Sequence, residues 1–384
     1  MRFVVLIGVV SLFADMTYEG SRSIVGPYLA LLGASGAMVG IVAGGGELLG
    51  YTLRIVSGRL SDATGRYWPI TIIGYVLQMA AVPTLALAGS WQVAAGLIVL
   101  ERVGKAIRNP PRDTMLAHAS SEMGRGWGFG VHEALDQLGA LLGPLAAAAV
   151  LAIRGDYGLA FLMLGVPAAL TLLTLLVARV SFPNPLPARA APDTGLAPYP
   201  RRFWLYAAAA ALVAAGFADF SLMAFHFAQA GTVPGPWVAI FYSAAMAASG
   251  TGSLLFGRLY DRIGIAVLLP VTLVTALYAP LSFLGAAPLA LLGVALWGIG
   301  MGVHESIMAA AVAEMVPSAR LASAYGTFTL VYGLAWFAGS AVMGLLYDLS
   351  VPILVAFSIA VELAAIPILA RLRARPPDGL GSAA

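Results

Sequence analysis

Three charged residues lie inside the first apolar stretch of the chain, where charge is costly. Asp15, Glu19 and Arg22 follow one another at spacings of four and three, so a helix would place them on one stripe. Asp15 lies about 12 residues into the stretch, or about 18 Å along a helix. An ionisable group there costs at least about 2.5–3.5 kcal/mol, and it persists when it lines a cavity, has a partner or has a function. The stripe predicts either proton exchange or an internal ion-pair ladder that fixes helix packing.

A longer basic stripe occupies the fourth apolar stretch. Its members are separated by three, three and four residues: Arg102, Lys105, Arg108 and Arg112. The deeper pair, Arg102 and Lys105, could bind an anionic group. The fifth stretch offers Glu133 and Asp136, which are three residues apart on one helix face and could neutralise the stripe. We slightly favour an ion-pair network between these two stretches over a direct role in binding.

Candidate roles follow from the depth and type of each charged or polar side chain. The candidates for taking up and releasing a proton are Asp15, Glu19 and Glu133. The candidates for binding a substrate are Arg22, Glu47, Arg102, Lys105, Asp136, Asp219, His226, His304 and Glu305. A carboxylic acid screened from water can exchange protons near neutral pH, which is the physical basis of the first group.

Catalytic and metal chemistry have little support in this sequence. His304 and Met308 would share one helix face as a soft-metal pair. Two ligands do not make a site, however, so no bound metal is predicted. The chain has no cysteine, no nucleophile–base spacing and no phosphate-cradling loop. We therefore expect a protein that is not an enzyme and has no cofactor.

The elements that must position these residues are membrane helices. Hydrophobic residues make up 60% of the chain, charged residues 10%, and the mean hydropathy is +0.90, whereas soluble domains carry about 25% charge. The apolar stretches are about 20 residues or longer, enough to cross a bilayer as helices. The twelve predicted spans are about 3–31, 36–56, 67–87, 91–119, 126–152, 157–180, 203–230, 237–256, 265–284, 289–315, 322–346 and 351–370. Pro110 and Pro111 are expected to kink or end the embedded part of the fourth span.

The spans divide into two sets of six around a proline-rich linker. The predicted parts are an N-terminal six-helix bundle (1–180), a linker (181–202), a C-terminal six-helix bundle (203–375) and a short tail (376–384). If the spans alternate, most arginines in the connections fall on one side of the membrane. The positive-inside rule then places both termini and the linker in the cytoplasm, in a multi-pass protein of the cell (inner) membrane. The arginines lie at the ends of membrane helices and form no soluble basic face, so nucleic-acid binding is not predicted.

The two sets of spans carry the same short sequences. Gly58-Arg59-Leu60-Ser61-Asp62 returns 199 residues further on as Gly257-Arg258-Leu259-Tyr260-Asp261, and Phe13-Ala14-Asp15 returns after 204 residues as Phe217-Ala218-Asp219. Internal repeats in a membrane chain are typical of secondary transporters. We interpret both copies of the pentapeptide as charged turns between spans.

These motifs resemble those of the major facilitator superfamily. The family has a loop of the form Gly-x-Leu-x-Asp-Arg-x-Gly-Arg-Lys after its second span. The residues that fit in the two copies are Gly58, Leu60, Asp62, Gly65 and Arg66, and Gly257, Leu259, Asp261, Arg262 and Gly264. Arg102 with Gly104 is similar to the family's arginine in span four, and Gly143-Pro144 is similar to the core of its antiporter motif. The resemblance implies an all-α membrane protein with twelve transmembrane helices in two pseudo-symmetric six-helix bundles. It also implies a conformational latch at Gly58, Asp62, Gly65, Arg66, Gly257, Asp261 and Arg262.

The expected function is secondary transport by alternating access. The solute is expected to be small and polar or amphiphilic, the driving gradient that of protons, and Gly143-Pro144 points to efflux by antiport. The alternative is proton-linked uptake of an organic anion held by Arg22, Arg102 and Lys105. Less favoured alternatives are a metal-ion transporter and a membrane sensor that transports nothing. The expected partners are the lipid bilayer, the solute and protons, and the chain is expected to be a monomer.

Overall fold

The computed structural model of the chain describes residues 2–119, 125–183, 199–316 and 321–373. Within these ranges the structure is 91% helical and has no strand. The helices of the N-terminal half are α1 (Arg2–Leu31), α2 (Gly36–Thr64), α3 (Tyr67–Thr84), α4 (Trp91–Ala119), α5 (Arg125–Arg154), α6 (Tyr157–Met163) and α7 (Gly165–Ser181). Those of the C-terminal half are α8 (Arg201–Gly216), α9 (Phe220–Ala230), α10 (Gly235–Ile263), α11 (Leu268–Thr275), α12 (Tyr278–Leu284), α13 (Ala287–Met315), α14 (Leu321–Leu349), α15 (Val351–Ala364) and α16 (Ile366–Arg373).

Several predicted spans consist of two shorter helices. In the described part of the chain, eleven spans are long and apolar enough to cross a bilayer, and four of them are the pairs α6–α7, α8–α9, α11–α12 and α15–α16. The fourth predicted span coincides with α4, which lies outside those eleven and carries Glu101, Arg102, Lys105, Arg108, Arg112 and Asp113. With α4 the prediction of a twelve-helix, all-α membrane protein is confirmed.

The two repeated pentapeptides are helical, so the prediction that they form turns is wrong. Residues 58–62 belong to α2, which ends at Gly65 with a φ of 66°, and residues 257–261 belong to α10, which ends at Gly264 with a φ of 60°. Neither pentapeptide contains a residue that must break a helix. The glycine that ends each helix has a positive φ, which L side chains avoid; Gly65 is left-handed helical, whereas Gly264 has a ψ of −149°.

Helix α4 is not broken at its two prolines. It passes through Pro110 and Pro111 and continues to Ala119, so the helix does not end at these residues. The predicted linker falls largely outside the described residues, as does the tail. The division at 1–180 and 203–375 therefore stays a prediction.

Alternation of the spans assigns each helix end to one of two sides. We call the side that holds the ends of α1 and α16 at Arg2 and Arg373 the terminal side, and the opposite one the far side.

Helices α2 and α14 pack closely toward the far side. A Cβ on Gly40 would lie 2.3 Å from the Ser340 carbonyl oxygen, whereas a Cβ on Gly50, nearer the terminal side, would meet nothing within 4 Å. The backbones of α2 and α14 are therefore in direct contact toward the far side, whereas nearer the terminal side the two helices meet through side chains such as Tyr51, 2.6 Å from a Cβ on Gly333.

Candidate functional site

The seventh span is interrupted where the sequence predicts a continuous helix. Between Gly216 and Phe220 the backbone leaves the helix. The Tyr278 hydroxyl donates to the Gly216 carbonyl oxygen (2.9 Å) and accepts from the Ala218 amide (2.6 Å). The Trp297 indole donates to the Ala218 carbonyl oxygen at 2.8 Å. These side chains satisfy backbone groups that the break has freed, as burial within a membrane requires.

Asp219 stands at this break and connects the two halves. One of its oxygens accepts from the Ser221 amide at 2.9 Å, which caps the start of α9. The other accepts from the Arg22 guanidinium on α1 at 2.8 Å. Asp219 is 1% exposed and Arg22 is 8% exposed. A buried ion pair therefore joins α1 to α9, and loss of Arg22 would leave the Asp219 carboxylate buried without this cation.

Glu47 on α2 lies between two arginines of the predicted site. Its Oε1 atom is 2.8 Å from Arg102 Nη1 and 3.9 Å from Arg22 Nη2. Arg102 also donates a hydrogen bond to the Tyr18 hydroxyl, and its Nε atom is 3.7 Å from the Glu101 carboxylate. Each of the two arginines predicted to hold an anion is therefore already paired with a carboxylate.

Asp15 and Glu19 share a helix stripe but contact different parts of the protein. Asp15 Oδ1 is 3.8 Å from Arg108 Nη2, and the Asp15 side chain interacts with that of Asp136. Glu19 Oε2 accepts a hydrogen bond of 2.5 Å from the Tyr242 hydroxyl on α10. The first acid is thus held within the N-terminal half, whereas the second bridges to the C-terminal half.

Two cations near these acids have no carboxylate within 4.0 Å in the described part of the chain. The Lys105 ammonium lies 3.6 Å from the centre of the Tyr18 ring. The Arg54 guanidinium lies 5.4 Å from the centre of the Tyr51 ring. Both cations are partly buried, and a cation over an aromatic face is stabilised by the ring quadrupole.

A cavity of about 320 Å³ lies between the two halves. The N-terminal half contributes a charged wall: Tyr18, Glu19, Arg22, Glu47, Gly50, Tyr51, Arg54, Arg102, Lys105 and Ala106. The C-terminal half contributes a largely aromatic wall: Met301, His304, Tyr325, Phe328, Thr329, Tyr332 and Trp336. A second cavity of about 450 Å³ shares Glu19, Arg22, Lys105 and Met301 with the first and adds Asp15 and Asp136. The charged residues at the centre of the molecule therefore line adjoining spaces between the halves.

At the far side, an acidic residue of one half caps a helix of the other. The Asp348 carboxylate at the end of α14 accepts from the Gly36 amide at 2.8 Å and from the Ala37 amide at 2.9 Å. Ser35 accepts from the next amide of α2, that of Met38, at 3.3 Å. A Cβ on Gly36 would lie 2.8 Å from the Asp348 Oδ1 atom, so this close approach needs glycine. Donors at the start of α2 are therefore satisfied across the junction between the halves.

The two predicted histidines lie in different places. His304 lines the first cavity and lies within hydrogen-bond distance of the Tyr332 hydroxyl, at 3.2 Å. His226 lies instead 3.2 Å from the Tyr347 hydroxyl, next to the far-side junction. Among the described residues, no group of three or more His, Cys, Asp or Glu side chains is arranged to hold a metal ion.

Some predicted positions fall on side chains outside the described part of the structure. These are Glu133, Glu305, Asp62 and Asp261, together with Met308. The other latch residues are placed by the backbone: Gly58 and Gly257 lie within helices, Gly65 ends α2, and Arg66 and Arg262 are exposed on the terminal side.

Aromatic residues are the part of the site that charge patterns did not indicate. Phe328, Tyr332 and Trp336 recur every four residues on α14 and form one wall of the cavity. Their spacing is visible in the sequence, but aromatic residues at helical spacing are common in packed cores. Only the position of α14 opposite α1, α2 and α4 shows that these rings face a cavity.

The fold and the site define a class of protein. Two sets of membrane helices enclose a polar cavity that is closed at one side, and one span is broken beside the cavity. This is the architecture of a secondary transporter. The sequence matches the family model of the Major Facilitator Superfamily over residues 7–380. The chain therefore belongs to the Major Facilitator Superfamily, and it is a membrane transporter of a small molecule rather than an enzyme.

Similar proteins include both curated sequences and solved structures. An uncharacterised protein of Mycobacterium tuberculosis is 43% identical over 380 residues, which cover 97% of this chain and 93% of the relative. An uncharacterised MFS-type transporter of Methanocaldococcus jannaschii is 27% identical over 359 residues, covering 90% and 89%. Crystal structures of the nucleoside transporter NupG (TM-score 0.75, 14% identity, covering 96% of this chain and 99% of that one) and of the peptide transporter POT with sulfate (0.77, 16%, 97% and 93%) share the fold.

Proposed function

We propose that this protein is a proton-coupled transporter that moves a small polar or amphiphilic solute by alternating access, with Asp15 and Glu19 as the proton-carrying groups. One observation carries the proposal. Both acids line the same space between the halves as Lys105 and Arg22. Protons and solute would therefore act on one set of charges, which is what coupling requires.

The contacts of the two acids suggest how protonation would act on the halves. Glu19 accepts from Tyr242 of the opposite half, and a hydrogen bond to an ionised acceptor is about twice as strong as a neutral one. Protonation of Glu19 would weaken this contact and favour separation of α1 from α10. Asp15 interacts with Asp136, and two adjacent carboxyl groups can share one proton.

The proposal also covers the orientation in the membrane, the latch and the direction of transport. The terminal side would be the cytoplasmic side of the cell membrane, so that the cavity opens to the cytoplasm. The latch formed by the two repeated motifs would close that side in the opposite state. Export by antiport with protons is our first choice of direction. Proton-linked uptake of an organic anion is the second candidate, because Lys105 lines the cavity with no carboxylate within 4.0 Å in the described part.

The test uses purified protein in proteoliposomes. Solutes that raise the melting temperature of the protein would first be selected from a panel of organic anions, cations and neutral compounds. We expect their flux to follow an imposed pH gradient and to lose that dependence with a protonophore. Asp15→Asn should bind the solute but fail to accumulate it, whereas Glu314→Gln, an exposed acid on α13, should behave as wild type. Flux that ignores the pH gradient would refute proton coupling.

A further inference from the structure

A buried acid of the C-terminal half lies outside the central cavities. Glu362 on α15 is 0% exposed and lines neither of the two cavities between the halves. It lies midway along the span Val351–Arg373, about 16 Å from either end at a rise of about 1.5 Å per residue. An ionisable side chain at this depth is costly, so it calls for a partner or a function.

Glu362 has no partner for a negative charge. Among the described residues, neither of its carboxyl oxygens has a hydrogen-bond partner, and none of the ion pairs within 4.0 Å includes it. The titratable side chain that faces it from the helices packed against α15 is Tyr278 on α12. The described charged residues of those helices lie near helix ends: Arg201 and Arg202 on α8, Asp348 on α14, and Arg371 and Arg373 on α16. A carboxylate at this position would be an isolated buried charge, which is strongly unfavourable.

The break in the seventh span lies directly against Glu362. A Cβ on Gly216, the last residue of α8, would lie 2.7 Å from Glu362 Cγ and 2.8 Å from the Ser358 carbonyl oxygen. Ser358 precedes Glu362 by one turn on the same face of α15, and its hydroxyl donates to the Gly216 carbonyl oxygen at 2.6 Å. The same oxygen accepts from Tyr278 at 2.9 Å. Helices α12 and α15 therefore each supply a hydrogen bond to the carbonyl group that the break has freed.

The Ser358 hydroxyl has one hydrogen and two acceptors within reach. Its side chain interacts with the Glu362 carboxyl group as well as with Gly216. A protonated carboxyl group competes weakly for that hydrogen, since it carries an O–H donor of its own. An ionised carboxylate only accepts, and a hydrogen bond to it is about twice as strong as one to a neutral carbonyl group. The charge on Glu362 therefore decides which acceptor Ser358 binds.

We propose that Glu362 is a proton-binding site of the C-terminal half and that it controls the break in the seventh span. In the conformation of this structure Glu362 carries the proton, and Ser358 binds the Gly216 carbonyl group. When Glu362 loses the proton, the Ser358 hydroxyl turns to the carboxylate and the break loses one hydrogen bond. Asp219, which binds Arg22 of the other half, lies three residues beyond Gly216. Loosening of the break therefore acts on a contact between the halves.

Infrared spectroscopy tests whether Glu362 carries a proton. The purified full-length protein is compared at neutral pH with Glu362→Gln, whose amide has nearly the size and shape of a protonated acid. We expect the difference spectrum to contain the C=O stretching band of a carboxylic acid and to lose it as the pH is raised. Glu314→Gln, on an exposed acid of α13, is the matched control and should remove carboxylate bands instead. Carboxylate bands from Glu362 at neutral pH, or an acid band that persists at every pH at which the protein stays folded, would overturn the inference.

Hydrogen–deuterium exchange tests the link to the break. The readout is the exchange rate of the amides in residues 217–222, in wild type and Glu362→Gln at the same pH, so that the intrinsic rates cancel. The two proteins should exchange alike where the infrared band shows that Glu362 is protonated. At the alkaline pH where the band is lost, the wild type should exchange about fivefold faster, as expected for loss of one hydrogen bond. Equal rates at that pH would refute control of the break.

Variants of Ser358 separate this switch from packing. Ser358→Ala removes the donor to Gly216, so residues 217–222 should exchange about fivefold faster than in wild type at neutral pH. Adding Glu362→Gln to Ser358→Ala should change nothing further at either pH. Thr171→Ala, which removes a buried hydroxyl from α7 of the other half, is the matched control and should leave the segment unchanged. An effect of Glu362→Gln that survives in the absence of the Ser358 hydroxyl would refute the role of Ser358.

The outcomes distinguish this inference from the proposed function. Asp15 and Glu19 are on α1 in the other half and take no part in it. If the solute flux ignores the pH gradient but the Glu362 band titrates, proton coupling fails and the Glu362 site stands. If the flux follows the gradient and the acid band is missing, coupling stands and the Glu362 site fails.

Discussion

Removal of the Asp348 carboxylate should open the far side of the transporter. Asp348 binds the first two amides of α2 across the junction, at 2.8 and 2.9 Å, and this contact exists only while the halves meet there. A carboxylate at an exposed helix N-terminus contributes about 0.3–1 kcal/mol, and loss of a capping side chain costs about 0.5–2 kcal/mol. We therefore expect Asp348→Ala to weaken closure by about 1 kcal/mol, which raises the ratio of far-side-open to far-side-closed molecules about fivefold.

A second variant tests the same junction by steric means. Gly40→Ala would place a Cβ 2.3 Å from the Ser340 backbone carbonyl oxygen, so α2 and α14 must separate. Gly50→Ala on the same helix meets nothing within 4 Å and is the matched control. We expect Gly40→Ala to favour the open far side more strongly than Asp348→Ala, because backbone overlap cannot be relieved by a change of rotamer.

Spin labels on the two halves would measure the change. The chain has no cysteine, so Leu87→Cys and Leu284→Cys give a clean pair on exposed far-side positions of opposite halves. Pulsed electron–electron double resonance measures the distance between the two labels. In Asp348→Ala a larger fraction of molecules than in the wild type should show the long distance. Asp156→Asn, which removes an acidic cap from α6 within one half, should leave the distribution unchanged. A distribution in Asp348→Ala that matches the wild type would refute a role of this contact in closure.

Three other changes test the proposed coupling and the latch. Asp15→Asn should abolish solute accumulation driven by a pH gradient and leave solute binding within about threefold of wild type; full accumulation would return Asp15 to a packing role. Tyr242→Phe removes the donor to Glu19 and should let α1 and α10 separate without protonation of Glu19, so the flux should lose most of its dependence on the pH gradient; an unchanged dependence would separate this contact from transport. Asp62→Asn should make the molecule open more often at the terminal side, measured with labels at the exposed positions Thr64→Cys and Ile263→Cys, and an unchanged distance distribution would count against the latch.

The sequence predicted best the features that extend over many residues. Apolar stretches of about 20 residues predicted the membrane helices, and the prediction of the superfamily is confirmed by the family match. The local course of the backbone was harder to predict. The repeated pentapeptides were wrongly assigned to turns, because their charge resembles that of a connection while their backbone stays helical until Gly65 and Gly264. The break in span seven was missed because tertiary partners, Tyr278 and Trp297, satisfy its backbone groups.

The candidate site shows the same division between pattern and packing. Burial of charge singled out Asp15, Glu19, Arg22 and Arg102, all of which line the central cavities. Which of them pair with one another depends on packing between helices distant in sequence, so the sequence could not show that Glu47 engages Arg102. Arg54 also lines the first cavity, but the sequence did not single it out, because its place opposite α14 depends on tertiary packing.

Equivalent positions of the internal repeat have different structures in the two halves. Asp15 and Asp219 occupy equivalent places in the repeated Phe-Ala-Asp sequence, yet α1 is continuous at Asp15 while the seventh span breaks before Asp219. The break lets Asp219 cap α9 and bind Arg22 of the other half, whereas Asp15 stays near Arg108 of its own half. Asp219 is thus committed to an inter-half ion pair, and Asp15 can change its protonation without breaking one. This asymmetry supports the proposal that proton exchange takes place at Asp15 rather than at Asp219.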